Sequence, residues 1–162
     1  MPNSASERHE QYLLSAIAQY WGYDSFRPLQ RDSMLAAMES RDSLTVLPTG
    51  GGKSLCYQAP AVCRDGMAIV VSPLIALMKD QVDALVECGI AAAFVNSSLT
   101  AQERQNVAAR IRRSEIKLLF VAPERLVQER MLQFLEEINV SFIAIPIRFF
   151  CRFYLHTFGP HM

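Results

Sequence analysis

The chain has 162 residues, 51% of them hydrophobic and 20% charged, with Lys+Arg and Asp+Glu at 16 each. That is the length and make-up of one globular domain, which excludes a disordered chain, and its longest apolar stretch, about Ile90–Val95, is far short of the ~18 residues a membrane span needs. A net charge of zero decides nothing about nucleic acid, because a phosphate backbone needs a local basic stripe rather than a basic total.

Taken in chain order, Ser6 is placed to cap a helix running to about Tyr20. Leu13, Leu14, Ile17 and Trp21 fall at helical spacing, and Gly22 suits the stop. The start of the chain lacks a basic segment followed by an apolar block, so no secretory leader is expected. Pro28 suits the first position of a second helix ending near Ser40. From there strands and helices alternate. Ser43–Leu47 reads as a strand, Lys53–Cys63 as a helix and Met67–Val71 as a buried strand. Leu74–Cys88 reads as a helix stopped by Gly89, and Ala92–Val95 as a third strand. Thr100 and Glu103 form a capping box that opens a helix to about Arg113. Lys117–Val121 is a fourth strand, Leu126–Glu137 a helix and Val140–Ile145 a fifth strand. Strands alternating with helices of this length predict βαβ units and a mostly parallel sheet covered on both faces. After Glu137 no acidic residue follows, and Phe142–Phe158 holds six of the fifteen aromatic residues, so the tail from Pro146 has a different character with no clean period.

The four cysteines, Cys56, Cys63, Cys88 and Cys151, form no C-x-x-C pair, and no histidine stands at zinc-finger spacing. They are expected to be buried thiols of a reducing compartment, with no zinc. His9, His156 and His161 lie near the two ends and are expected at the surface.

The strongest chemical signal is Pro48-Thr49-Gly50-Gly51-Gly52-Lys53-Ser54, set between a strand and a helix. Three glycines let backbone N–H groups turn inward to cradle phosphate oxygens, and the helix start adds its positive dipole end. Lys53 would reach the β- and γ-phosphates and the Ser54 hydroxyl would ligand Mg²⁺. A strict phosphate-binding loop has glycine six residues before the lysine, where this chain has Leu47. The competing reading, a glycine-rich turn with an incidental lysine, fits the strand–loop–helix setting less well. Just ahead lies Trp21-Gly22-Tyr23-Asp24-Ser25-Phe26-Arg27-Pro28-Leu29-Gln30. An aromatic ring there can stack on adenine, and a glutamine amide can both donate to and accept from the base edge. Taken singly, each of these residues reads better as ordinary helix-entry packing.

From about Tyr20 to Ile145 the chain resembles the N-terminal ATPase lobe of the RecQ family of superfamily 2 DNA helicases. Gly22–Gln30 is similar to the family's adenine-recognition motif, with Leu29 where many members have glycine, and Thr49–Ser54 to its motif I. Val71-Ser72-Pro73-Leu74 through Gln81 is similar to motif Ia, and Asn96-Ser97-Ser98 and Val121–Leu126 to the next two blocks. The resemblance implies an α/β fold: a three-layer RecA-like P-loop domain with a mostly parallel sheet, incomplete at its C-terminus and preceded by a helical segment. The expected divisions are 1–40, helical with the adenine motif; 41–145, the partial ATP-binding lobe; and 146–162, a divergent tail. It further implies a motor that moves 3′ to 5′ on DNA in repair and recombination. Adenine would meet Tyr23, Arg27 and Gln30. The triphosphate and Mg²⁺ would meet Thr49, Gly50, Gly51, Gly52, Lys53 and Ser54, with Lys53 the catalytic residue. Single-stranded or duplex DNA would lie along Ser72, Pro73, Leu74, Lys79, Asn96, Pro123, Glu124 and Arg125. The bland alternative for Leu74–Val86 is a packed amphipathic helix, and both readings can hold for different faces. No membrane partner is implied; the location is a bacterial cytoplasm or, in a eukaryote, the nucleus.

The departure comes after Ile145. There the family continues Asp-Glu-Ala-His, whose carboxylates serve the metal and the attacking water, whereas this chain reads Pro146-Ile147-Arg148-Phe149. The second ATPase lobe that supplies an arginine is not in the sequence. The expectation is a chain that binds nucleotide without turning it over. In related lobes a later strand sits between the P-loop strand and the strand ending at the Asp-Glu-Ala-His segment. Its loss would leave two open edges unless the aromatic tail fills the gap, so the tail is expected to be poorly ordered or apolar-packed and the fold marginal. Three functions are therefore weighed: a helicase lobe, a nucleotide- or DNA-binding module without turnover, and an unrelated P-loop enzyme such as a small-molecule kinase. The blocks Tyr23–Gln30 and Ser72–Gln81 argue against the third.

Overall fold

A computed structural model describes residues 5–48, 50–147 and 152–157. The elements in chain order are α1 (Ala5–Trp21), α2 (Gln30–Met38), β1 (Ser43–Val46), α3 (Leu55–Cys63), β2 (Met67–Val71), α4 (Ile75–Glu87) and β3 (Ala92–Val95). Then follow α5 (Ala101–Arg112), β4 (Leu118–Val121), α6 (Pro123–Leu126), α7 (Glu129–Glu136), β5 (Val140–Ile147) and β6 (Arg152–Thr157).

The strands form one sheet in the order β1-β6-β5-β2-β4-β3. β5, β2, β4 and β3 are mutually parallel, and β6 is antiparallel to both of its neighbours, β5 and β1. Reversal twice over means that β1 runs the same way as β5, so β6 alone opposes the other five strands. The alternating side chains of each strand then supply two cores. Ala68 and Val70 of β2, Leu118 and Phe120 of β4 and Phe142 and Ala144 of β5 face α1–α4. Ile69 and Val71, Leu119 and Val121 face α5 and α7. This is the three-layer α/β arrangement expected of continuously apolar parallel strands.

The helices owe their placement to spacing. Leu13, Ala16 and Ile17 bury one stripe of α1, and Met78, Val82 and Leu85 one stripe of α4. The capping box at α5 is present, with Thr100 Oγ1 accepting from the Glu103 N–H at 3.2 Å and a Glu103 carboxylate oxygen accepting from the Thr100 N–H at 2.7 Å.

Of the boundaries that differ from the sequence reading, four have a local physical cause. α2 begins at Gln30 rather than Pro28, because Arg27–Gln30 is a turn closed by the Gln30 N–H on the Arg27 carbonyl at 3.1 Å, with Leu29 at φ 67°, ψ −10°. Those angles fit the third position of a type II turn, where glycine is favoured. α3 begins at Leu55 rather than Lys53, because Lys53 and Ser54 belong to the loop's last turn. The single helix expected from Leu126 to Glu137 is two, α6 and α7, separated at Val127 and Gln128, where Gln128 is extended. An unbroken helix carrying Leu126 inward would turn Glu129 and Arg130 toward the core; the break lets Leu126, Met131, Phe134 and Leu135 all pack on the sheet instead. Last, β5 does not stop at Ile145 but runs to Ile147, and 152–157 returns beside it as β6. The gap between β1 and β5 is thus filled by the tail itself, in register Leu44↔Tyr154 and Ala144↔Leu155, and antiparallel. Cys151, His161 and Thr49 lie outside the described residues.

Candidate nucleotide and nucleic-acid site

Because five strands share one direction, their carboxyl ends gather at a single edge of the sheet. β1 leads into the glycine loop, β2 into Ser72–Leu74, β3 into Asn96–Ser98 and β4 into Ala122–Arg125. In open α/β sheets this is where ligands bind.

The glycine loop and the segment ahead of α2 are joined directly. The Arg27 guanidinium donates to the Gly50 carbonyl at 2.8 Å. The Gln30 amide nitrogen donates to the carbonyls of Gly52, at 3.1 Å, and Gly51, at 3.4 Å, while its oxygen accepts from the Arg27 N–H at 2.8 Å. Gln30 is buried, 1% exposed, and its amide is held at both ends, by the loop's carbonyls on the nitrogen and by the Arg27 N–H on the oxygen. Gly52 has φ +74°, and a Cβ there would stand 2.3 Å from the Gln30 amide nitrogen. The positive φ favours glycine at this position, and any side chain there would also have to displace the Gln30 amide.

With the carbonyls turned toward Arg27 and Gln30, the amides turn the other way. Among the described residues, the N–H groups of Gly52, Lys53 and Ser54 have no protein acceptor, whereas those of Leu55 and Cys56 bond back to Gly52 and Lys53. Consecutive unpaired N–H groups at the start of α3 make an anion cradle. The Lys53 ammonium donates to the carbonyls of Pro48, at 3.1 Å, and Leu47, at 3.3 Å, folded back across the mouth of its own loop. Those two bonds are the ones an incoming phosphate would replace.

Beside the cradle lies a cavity of about 300 Å³ lined by Trp21, Tyr23, Arg27, Gln30, Ser54 and Gln58, among others. Tyr23 is half exposed on its rim. The sequence reading singled out Tyr23, Arg27, Gln30 and Ser54 but missed Gln58. Its signal was available: Gln58 stands one helical turn after Ser54, on the same face of α3. Its amide nitrogen donates to the Gln81 side-chain oxygen of α4 at 3.1 Å, and that oxygen lies 3.5 Å from the Tyr57 hydroxyl. Burial pushes the Tyr57 hydroxyl and the Cys56 thiol each up to about 12, and Cys63 up to about 11, so none of the three is an ionised nucleophile at neutral pH.

For a divalent cation, Ser54 is the hydroxyl at the cradle. Among the described residues no group of three His, Cys, Asp or Glu side chains could hold a metal. The donor set fits a cation that arrives coordinated by phosphate oxygens, with Ser54 as the chain's own contribution.

The residues assigned to nucleic acid are less uniformly presented. Pro73 and Leu74 are exposed, with Leu74 at the N-cap of α4, while Ser72 is buried and donates its N–H to the Val121 carbonyl at 3.1 Å. The Lys79 ammonium is engaged by Asp83, one turn along α4, in an exposed pair. Asn96 is fully buried; its side-chain oxygen accepts from the Ser98 N–H at 2.9 Å and from the Ser98 hydroxyl at 2.7 Å, which organises the turn after β3. Asn96 therefore acts on the surface through Ser98. Pro123 and Glu124 are exposed, and the half-buried Arg125 bonds Gln128 at 3.3 Å.

A helicase model, DEAD/DEAH box helicase, matches residues 27–145, spanning the loop, the Arg27, Gln30, Ser54 and Gln58 side of the cavity and every strand end just described. The chain is 44% identical over 147 residues to the ATP-dependent DNA helicase RecQ of Haemophilus influenzae, covering 91% of this chain and 24% of that protein. It is 41% identical over 161 residues to the RecQ of Pasteurella multocida, covering 97% and 26%. To the ATP-dependent DNA helicase Q1 of Rattus norvegicus it is 38% identical over 144 residues, covering 83% and 23%. The chain belongs to the DEAD/DEAH box helicase family, in its RecQ branch, of which it is the N-terminal lobe. It spans about a quarter of the length of the curated relatives it matches.

Proposed function

We propose that the chain binds ATP with Mg²⁺ between the glycine loop and the Tyr23–Gln30 segment, as one lobe of a 3′–5′ DNA helicase of repair and recombination. The observation that carries this reading is the pair of hydrogen-bond donors, Arg27 and Gln30, reaching the carbonyls of Gly50, Gly51 and Gly52. Through them the base-reading segment and the phosphate loop become one site. The Gly52, Lys53 and Ser54 amides and the Lys53 ammonium would hold the β- and γ-phosphates, with Thr49 and Gly50 completing the loop, and Ser54 would contribute an oxygen to Mg²⁺. Tyr23 would stack on the base at the cavity rim. Single-stranded DNA would pass over Pro73, Leu74, Ser98 and Arg125, with Lys79, Pro123 and Glu124 beside it, reached by backbone N–H groups and cations rather than by base-reading side chains. The setting would be a bacterial cytoplasm or a nucleus.

A second reading concerns turnover. The carboxyl end of β5, facing the cradle edge, carries Pro146 and Ile147, and neither can bind a metal or orient water. In this form the chain is a nucleotide- and DNA-binding module, and hydrolysis needs groups from a second lobe.

Titration calorimetry with ATP and GTP tests the site. ATP should bind more tightly than GTP. Lys53→Ala should weaken ATP by roughly 1–3 kcal/mol, the range for a lost charge-assisted bond. Equal affinity for both bases would remove the adenine-reading role of Tyr23 and Gln30.

A further inference from the structure

On the face of the sheet opposite α1–α4, the helices α5 and α7 do not close on one another. They leave a groove of about 500 Å³ floored by apolar side chains, among them Val95, Leu119 and Met131. α7 has no fully buried residue and α5 buries only Ile111, so both walls stand open to solvent. Four arginines line the groove: Arg104 and Arg112 from α5, Arg125 and Arg130 from the α6–α7 side. No aspartate or glutamate lines it. The carboxylates of these helices, Glu103, Glu124, Glu129, Glu136 and Glu137, all lie off the groove. Among the described residues only Arg112 of the four has a carboxylate within ion-pair distance, Glu137 at 3.8 Å. Arg104 donates to the Leu99 carbonyl and Arg125 to the Gln128 side chain, both neutral partners.

We propose that this groove binds an acidic, amphipathic peptide segment, with apolar side chains on the floor and carboxylates on the arginine rim. Both halves of that chemistry are required. An apolar floor alone would take any hydrophobic segment, and an arginine rim alone would take any polyanion. Single-stranded nucleic acid is the other polyanion of suitable shape; of the residues on the DNA path proposed above only Arg125 also lines the groove, and a strand laid along the apolar floor itself would need an aromatic face on which its bases could stack. The aromatic residue in the groove, Phe134, has its ring face covered by the Arg112 guanidinium, 5.0 Å from the ring centroid. A covered ring offers apolar contact at its edge but no stacking platform. Guanidinium forks instead match carboxylates two oxygens at a time. The groove lies behind the sheet from the glycine loop's helix α3, so its occupant need not compete with nucleotide.

Fluorescence anisotropy on the 162-residue chain tests the proposal with a labelled synthetic peptide alternating aspartate with leucine and phenylalanine. Three further probes are the lysine-for-aspartate counterpart, a peptide with serine in place of the apolar residues, and oligothymidylate. The first peptide should bind and weaken with added salt, and the lysine and serine peptides should not bind. Gln105→Glu with Arg130→Glu places carboxylates on both exposed walls and should weaken the acidic amphipathic peptide about tenfold or more. ATP affinity, measured alongside, should not move, which reports an intact fold. Failure of the acidic amphipathic peptide to bind, or equal binding of the serine peptide, would overturn the proposal. So would oligothymidylate binding that the double variant abolishes while leaving peptide binding unchanged.

Discussion

Gly52 and Leu29 show opposite relations between residue type and backbone. At Gly52 the positive φ strains any side chain, so Gly52→Ala should cost roughly 1–2 kcal/mol in backbone strain alone. It should also push Gln30 off the loop, and nucleotide binding should fall with it. Leu29 occupies a left-handed turn position with its side chain 57% exposed. Leu29→Gly sheds strain and loses little burial, while the unfolded chain gains freedom, so stability should change by less than about 1 kcal/mol. Leu29→Ile keeps the strain and adds a β-branch, and should lower the urea midpoint clearly. A glycine variant that destabilises more than the isoleucine one would contradict the turn assignment. Cys56 and Tyr57 make a prediction in pH. Both have folded-state values of about 12, above the ordinary 9.0 and 10.0, so the folded chain keeps protons that the unfolded chain releases. Their contribution is whole below about pH 9 and is lost as pH rises toward 12, at up to about 1.4 kcal/mol per pH unit for each group. Urea unfolding followed upward from pH 8 should show the midpoint holding first and falling beyond pH 9. A flat profile would mean that neither group is buried in solution.

At the scale of elements, α3 and α4 are tied through one side chain inside an apolar layer, Gln81, whose oxygen faces both Gln58 and Tyr57. Gln58 is 7% exposed, and Gln81 is its acceptor. Removing that acceptor by Gln81→Leu strands a buried amide and should cost roughly 1–3 kcal/mol. Adding Gln58→Leu removes the stranded group as well, so the double variant should recover part of the loss. Simple additivity in a double-mutant cycle would show the two amides do not interact. Much of this layer was legible beforehand. The strands β1–β4, the stripes of α1 and α4 and the capping box of α5 follow from periodicity and capping, because local chemistry determines them. The division of α6 from α7 was not, since the break answers to which residues reach the sheet and no helix-breaking residue marks it. The route of the last strand was raised only as the alternative to two open edges, because it depends on a distant partner, β1, as well as on the adjoining β5, rather than on any pattern within 152–157.

For the molecule as a whole, the site is divided the same way. The glycine loop and Tyr23–Gln30 could be singled out from residue order, because the phosphate and base contacts proposed for them demand particular residue types at particular spacings. Their direct contact could not, since Arg27 and Gln30 touch Gly50–Gly52 only after β1 and α2 are packed. Asn96 and Lys79 lay in recognisable blocks, yet burial engages one in a turn and an ion pair engages the other. Whole-molecule function also sets the strongest expectation for turnover. Phosphoryl transfer to water needs a metal held on two sides, a positioned water and positive charge on the transition state. Ser54 would supply one side of the metal, and Pro146 and Ile147 carry no group for the rest. The purified chain should therefore bind ATP and release no phosphate above background, with or without single-stranded DNA. DNA-stimulated hydrolysis that Lys53→Ala abolishes would show this wrong.

The strand that carries the glycine loop, β1, stands at the sheet margin with β6 as its one neighbour there. Pairing Leu44 with Tyr154 joins residues far apart along the chain, whereas β5 and β6 meet through a short hairpin. Loop-closure entropy and contact order then set a sequence of events in folding: the hairpin forms early, and β1 docks late. A late-docking margin strand is also the first to leave under native conditions. Amide exchange should accordingly be fastest, within the sheet, at Leu44–Val46, and slowest in β2 and β4. Bound ATP, by tying the loop to α3, should slow exchange in β1 more than anywhere else in the sheet, so that nucleotide acts on this chain as a folding ligand for its own binding loop.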